Sequence, residues 1–222
     1  VNSDNYKEFK KAGVLAENTR GEVALWHAWW CFDAPQGGIM NPIAAKAEQF
    51  WGGAYVRMKK SGIDGFWIDL GEPERVPDRV RFNDYTQKQF HNYYNMEWIK
   101  MIHSAVQKEF PEDRLFILSR SGYTGSPGYN VSNWSGDVPC TFKGLDFQVA
   151  LGLQSGLTGY SFWGSDVGGF TGRPSKELFI RWYQFGAFSP VFRAHGNRPR
   201  EPWIFDDETT KLVTQAINLR YR

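Results

Sequence analysis

Short apolar runs alternate with helical stretches along this chain, and that alternation constrains the fold more than any other feature. The runs at 65–70, 115–119, 159–163 and 190–193 are four to six residues long, with Gly or Pro at or near their edges, and a weaker segment at 129–134 supplies a fifth. Around them the spacing predicts helices over 4–18, 42–61, 84–110, 143–156, 175–187 and 207–219. In the third of these, Phe90, Tyr94, Trp98, Met101, Ile102 and Val106 recur at three- and four-residue steps and mark one buried face. Pro42 stands where a first helical turn tolerates proline, with Asn41 before it as a cap candidate. Strands that alternate with covering helices make a parallel α/β sheet. Five such units do not close an eight-stranded barrel, so these residues allow either an open sheet or an incomplete (β/α)8 TIM barrel.

Two of the runs end on carboxylates: Gly65-Phe66-Trp67-Ile68-Asp69-Leu70-Gly71-Glu72, and Asn133-Trp134-Ser135-Gly136-Asp137 after the weaker segment. Arg120 follows Phe116-Ile117-Leu118-Ser119, Asp166 follows Ser161-Phe162-Trp163-Gly164, and His195 follows Val191-Phe192-Arg193 and Ala194. Parallel α/β folds place ligand sites beyond the carboxyl ends of their strands, so these side chains are expected at one rim. Paired acids suit glycosidic bond cleavage, where one group attacks or stabilises the anomeric carbon and another protonates the departing oxygen. Four of these residues also have a structural alternative: Asp69 as a buried paired acid, Arg120 in an ion pair, Asp137 in a Gly-Asp turn, His195 as a hydrogen-bonded rim residue.

Composition agrees with a sugar ligand. Ten Trp, ten Tyr and seventeen Phe make 17% of the 222 residues, and aromatic rings cover the flat C–H faces of sugars as readily as they fill cores. A net charge of +2, from 26 basic and 24 acidic residues without long runs, gives no footprint for nucleic acid or anionic lipid. The length favours one compact unit. Cys31 and Cys140 are isolated and read as free thiols. No His/Cys/Asp cluster has metal spacing and no glycine-rich turn suits a dinucleotide, so no cofactor is expected. No apolar run is long enough to span a bilayer, and the first residues lack a leader pattern. The sequons at Asn130 and Asn133 crowd the second acidic run and read as chance matches.

The runs Gly-Phe-Trp-Ile-Asp-Leu-Gly-Glu, Arg-Ser-Gly, Trp-Ser-Gly-Asp, Phe-Trp-Gly-Ser-Asp-Val-Gly-Gly-Phe and Phe-Arg-Ala-His-Gly stand in the order seen in glycoside hydrolase family 31, and the chain resembles that family from Asp4 through Arg222. The resemblance implies retaining α-glycosidase chemistry on a (β/α)8 barrel, of which residues 1–222 would supply roughly strands four to eight with their helices. The first strands, the preceding β-sandwich and the following β-domains would lie outside, leaving a large apolar surface and a stretch with little activity by itself. It implies Asp69 as nucleophile and Asp137 as acid/base, with Arg120, Asp166 and His195 bonding the sugar and Trp67, Trp134 and Phe170 walling it. Glu72 would support the loop, and Trp30 is a weaker candidate platform. Retention requires the two carboxyl groups about 5 to 5.5 Å apart, with the charge of Asp69 keeping Asp137 in its acid form until Asp69 is esterified. The implied substrate is an oligosaccharide or α-glycoside carrying a terminal α-linked glucose. An α-xylosidase, an α-transglucosylase and a non-catalytic sugar-binding remnant are the alternatives.

Overall fold

The computed structural model describes residues 3–27 and 36–222. They fall into two compact units rather than the single one expected, Val1–Ile117 with Ser121–Val131 and Leu118–Arg120 with Ser132–Arg222. The buried side chains explain the division, because their clusters lie within one unit or the other.

In the first unit, α1 (Asp4–Ala12) starts on Ser3, whose hydroxyl accepts from the Tyr6 N–H, and ends at Gly13, which turns left-handed at φ 70°. The helix expected to reach Asn18 therefore stops six residues early. Val14, Leu15 and Ala16 are buried, and Ala16 N–H donates to the Ile39 carbonyl, so tertiary pairing overrides local periodicity there. Pro42 does not open a helix either. The Asn41 side chain accepts from the Ile43 N–H and donates to Asn83, closing a turn instead. Helical structure begins with a π-helical turn at Glu48–Gly52 and continues as α2 (Gly53–Lys60).

Strand β1 (Gly65–Ile68) alternates in burial. Phe66 and Ile68 pack with Ile99, Ile102 and Ala105 of α3 (Gln87–Glu109), while Trp67 points from the opposite face. Thr86 and Gln89 form a reciprocal capping box at the start of α3. The expected stripe on α3 is buried at Phe90, Tyr94, Met101, Ile102 and Val106, and Trp98 is partly buried against the same clusters. The next strand, β2 (Phe116–Ser119), neighbours β1.

In the second unit the strand order is β2, β3 (Val131–Trp134), β4 (Trp163–Val167), β5 (Val191–Ala194). Helices α4 (Phe142–Leu157), α5 (Lys176–Gly186) and α6 (Asp207–Arg220) follow β3, β4 and β5 in turn. The run at 159–163 is displaced from its expected place: Gly159 and Tyr160 close the turn after α4 on the Gly156 and Ser155 carbonyls, and the strand begins only at Trp163. Val167 packs against Leu178, Phe179 and Trp182, and the Trp182 indole donates to Ser165 Oγ at 3.0 Å. Helix α4 leaves Phe142, Phe147, Leu153 and Leu157 exposed.

Asp206 caps α6 by accepting from the Thr209 N–H and pairs with the Lys176 ammonium. The bond from Lys176 holds the Asp206 carboxyl well below the usual carboxylate range. A lowered folded-state value means stabilisation above the unfolded value of about 4 that is lost as pH falls. Asp206→Asn keeps the cap but not the charge, and should lower the melting temperature at pH 7 by about 1 to 2 °C. That gap should close in melts at low pH and in high salt, since the pair is exposed.

Candidate active site

Asp69 stands one residue past β1, on the face of Trp67, because alternation sends Phe66 and Ile68 to the helix layer. Its Oδ1 accepts from the Leu70 N–H at 2.8 Å. Leu70 is left-handed, at φ 62°, a conformation that costs a branched residue about 1 kcal/mol or more and that clusters at ligand sites. The chain therefore leaves the strand sharply at the acid. Glu72 lies half-buried in the turn that follows, and Trp67 is 51% exposed.

In the second unit, Arg120 comes directly after β2, and its side chain lies against Gly136: a Cβ there would sit 3.1 Å from Arg120 Cδ. Gly136 is left-handed at φ 75°, so the turn that presents Asp137 admits the arginine beside it. Asp137 is exposed, while its neighbour Val138 is buried and anchors the loop. Asn133 is buried, with its amide donating to the Ser119 carbonyl, which leaves that sequon closed to modification in the folded chain.

Asp166 lies within β4 rather than after it, a correction to the sequence reading that follows from the displaced strand. It is fully buried at 0% exposure, and register pairs it with Arg193 on β5. The Arg193 guanidinium donates from Nη2 to Asp166 Oδ1 at 2.6 Å and lies 5.3 Å above the Trp134 ring, which is itself buried. Arg193 stands in the same Phe-Arg-Ala-His-Gly run as His195, the one residue of that run expected at the site. The overlooked signal was the two-residue step between them, which marks a shared strand face. His195 follows β5 directly and packs against Phe170, ring centroids 5.5 Å apart. An open hollow of about 590 Å³ is lined by His195, Gly196, Asn197 and Arg198.

Breaking a buried ion pair leaves a desolvated charge behind, at a typical cost of about 3 to 5 kcal/mol. Arg193→Ala should therefore lower unfolding free energy by about 3 kcal/mol in denaturant titrations, whereas a change at an exposed arginine should stay within about 0.5 kcal/mol.

Trp30 and Cys31 lie outside the described residues. Among the described residues, no group of three or more His, Cys, Asp or Glu is placed to hold a metal ion, and no helix is long and apolar enough to cross a membrane.

In the second unit, parallel strands carry an acid, arginines, a histidine and aromatic rings at or near their carboxyl ends, where (β/α)8-type domains place their sites. The chain belongs to glycosyl hydrolases family 31, whose TIM-barrel domain matches residues 1–222. Its five parallel strands are an incomplete (β/α)8 barrel. Human neutral alpha-glucosidase C is 34% identical over 97% of this chain and 25% of its own length. An alpha-xylosidase of Saccharolobus solfataricus is 33% identical over 82% of this chain and 27% of its own. A family 31 dextranase of Flavobacterium johnsoniae, solved with glucose, superposes with a TM-score of 0.90 at 27% identity, over 97% of this chain and 29% of that one. The chain thus spans about a quarter of the length of these curated relatives.

Proposed function

We propose that the protein carrying this chain is a retaining exo-α-glucosidase that removes terminal α-linked glucose from oligosaccharides. The observation that carries the reading is Asp69, an acid at the end of a parallel strand in a family 31 domain, held by a left-handed turn. In this reading an Asp69 oxygen bonds to the anomeric carbon as the bond to the leaving oxygen breaks, and Asp137 supplies that oxygen with a proton. Asp137 then takes a proton from water, the water oxygen bonds to the anomeric carbon, and the ester to Asp69 breaks. Two inversions give net retention. Arg120 and His195 bond the sugar hydroxyls, and Asp166, fully buried behind them, accepts from Arg193 and orients that guanidinium. Trp67 and Phe170 cover its C–H faces, Trp134 backs the site from beneath the Arg193 guanidinium, and Glu72 supports the turn after Asp69.

A mechanism-based fluorosugar should label the peptide containing Asp69, and NMR should show the α-anomer released first. Labelling elsewhere, or release of the β-anomer, would overturn the assignment. The relative named alpha-xylosidase is nearly as similar as those named alpha-glucosidase, which favours xylosides as the second substrate class. The two sugars differ by one hydroxymethyl group, and relative rates on nitrophenyl α-glucoside and α-xyloside decide between them.

A further inference from the structure

The loops that follow β3, β4 and β5 meet on one buried guanidinium. Arg200 is 4% exposed. Its Nε donates to the Gly169 carbonyl at 2.8 Å, and Nη1 donates to those of Arg198 at 3.1 Å and Pro199 at 2.9 Å. Nη2 donates to Cys140 Sγ at 3.0 Å and to the carbonyls of Phe170 at 3.3 Å and Gly172 at 2.8 Å. Among the described residues, every hydrogen-bond acceptor of this cation is therefore a carbonyl oxygen or the Cys140 sulfur. Burial pushes the Cys140 thiol up, so it meets the cation as a neutral acceptor.

A buried cation needs its acceptors in place, and the planar fork of arginine fixes where they must be. Glycine provides the room: a Cβ at Gly168 would sit 2.8 Å from Arg200 Cδ, and one at Gly196 would sit 2.8 Å from its Cζ. Backbone bonds stitch the same loops together. Phe170 N–H donates to the Val138 carbonyl at 2.7 Å, Cys140 N–H to that of Thr171 at 3.0 Å, and Asn197 N–H to that of Phe170 at 2.9 Å.

Each loop adjoins or carries a site residue: Asp137 immediately precedes Val138, Phe170 lies in the second loop, and His195 opens the third. We propose that Arg200 is a positioning residue, whose clasp on these three loops holds Asp137, Phe170 and His195 in register for sugar cleavage. The inference rests on the glycosidase reading above. Arg200 acts through the loops, since its guanidinium contacts are spent on their carbonyls and on Cys140.

Arg200→Lys in the full-length protein keeps the charge but replaces the fork with a point donor. Per active site titrated with the fluorosugar, kcat/KM on nitrophenyl α-glucoside should fall about 10- to 100-fold, with KM rising. Hydrogen exchange at the amides of Cys140, Phe170 and Asn197 should quicken. A purely structural role would lower the melting temperature while leaving kcat and KM per titrated site unchanged, and that result overturns the proposal. If Arg200→Lys does not fold, Asn197→Ala loosens the same loops from the exposed side, where Asn197 Oδ1 accepts from the Gly172 N–H. It should raise KM about 3- to 10-fold. Faster exchange at Phe170 with unaltered kinetics overturns the proposal there. Wild-type protein left unlabelled by the fluorosugar overturns the glycosidase reading and this inference with it, whereas labelled wild type beside a kinetically normal Arg200→Lys overturns the inference alone.

Discussion

Asp69→Asn is expected to lower kcat/KM on α-glucosides by about four orders of magnitude or more, the scale seen when a covalent nucleophile is removed. An amide oxygen cannot form the glycosyl ester, yet it can still accept from the Leu70 N–H, so the left-handed turn and the melting temperature should be preserved. Loss of rate without loss of fold separates nucleophile from structural acid. Asp69→Gly extends the test. It opens the face from which the carboxylate attacks, and azide entering there should yield the β-glycosyl azide. Residual activity of Asp69→Asn above about 1% of wild type would remove Asp69 from the covalent step.

Asp137→Ala is expected to act selectively. For disaccharides, whose leaving oxygen must be protonated, turnover should fall by about 10³-fold. For nitrophenyl glycosides, which depart without a proton, the loss should be far smaller and should fall on hydrolysis of the ester. Azide needs no general base, so it should restore that step and give the α-glycosyl azide, opposite in configuration to the product of Asp69→Gly. In the proposed mechanism the acid must carry a proton when the glycosidic bond breaks, so the alkaline limb of the kcat/KM profile should also vanish. Asp137 is exposed and its loop is anchored through Val138, so the loop should keep its fold in this variant. An equal loss on both substrate types would argue against an acid/base role.

Features set by near neighbours in the chain were legible in the sequence. The buried stripe on α3 follows from three- and four-residue spacing, and the position of Asp69 from an apolar run that stops at an acid. The errors arose where an apolar stretch could serve two ends. Gly159 to Phe162 looks like a strand but closes the turn after α4, while Gly164-Ser165-Asp166-Val167, with two polar residues, is the buried strand. Val14 to Ala16 continues a helical pattern but pairs as extended chain with Ile39 and Met40. In both places a polar or apolar label says little until the partner segment is known.

From sequence alone came the α/β alternation, the family motifs and the acids proposed to react, because each is written in consecutive residues. Only the tertiary structure decided that Arg193 pairs with Asp166, 27 positions away, and that Arg200 reaches Cys140, 60 positions away. The reason is physical. A cation removed from water must find its acceptors in the surrounding fold, and which acceptors those are depends on strand register and loop packing, which link distant parts of the chain.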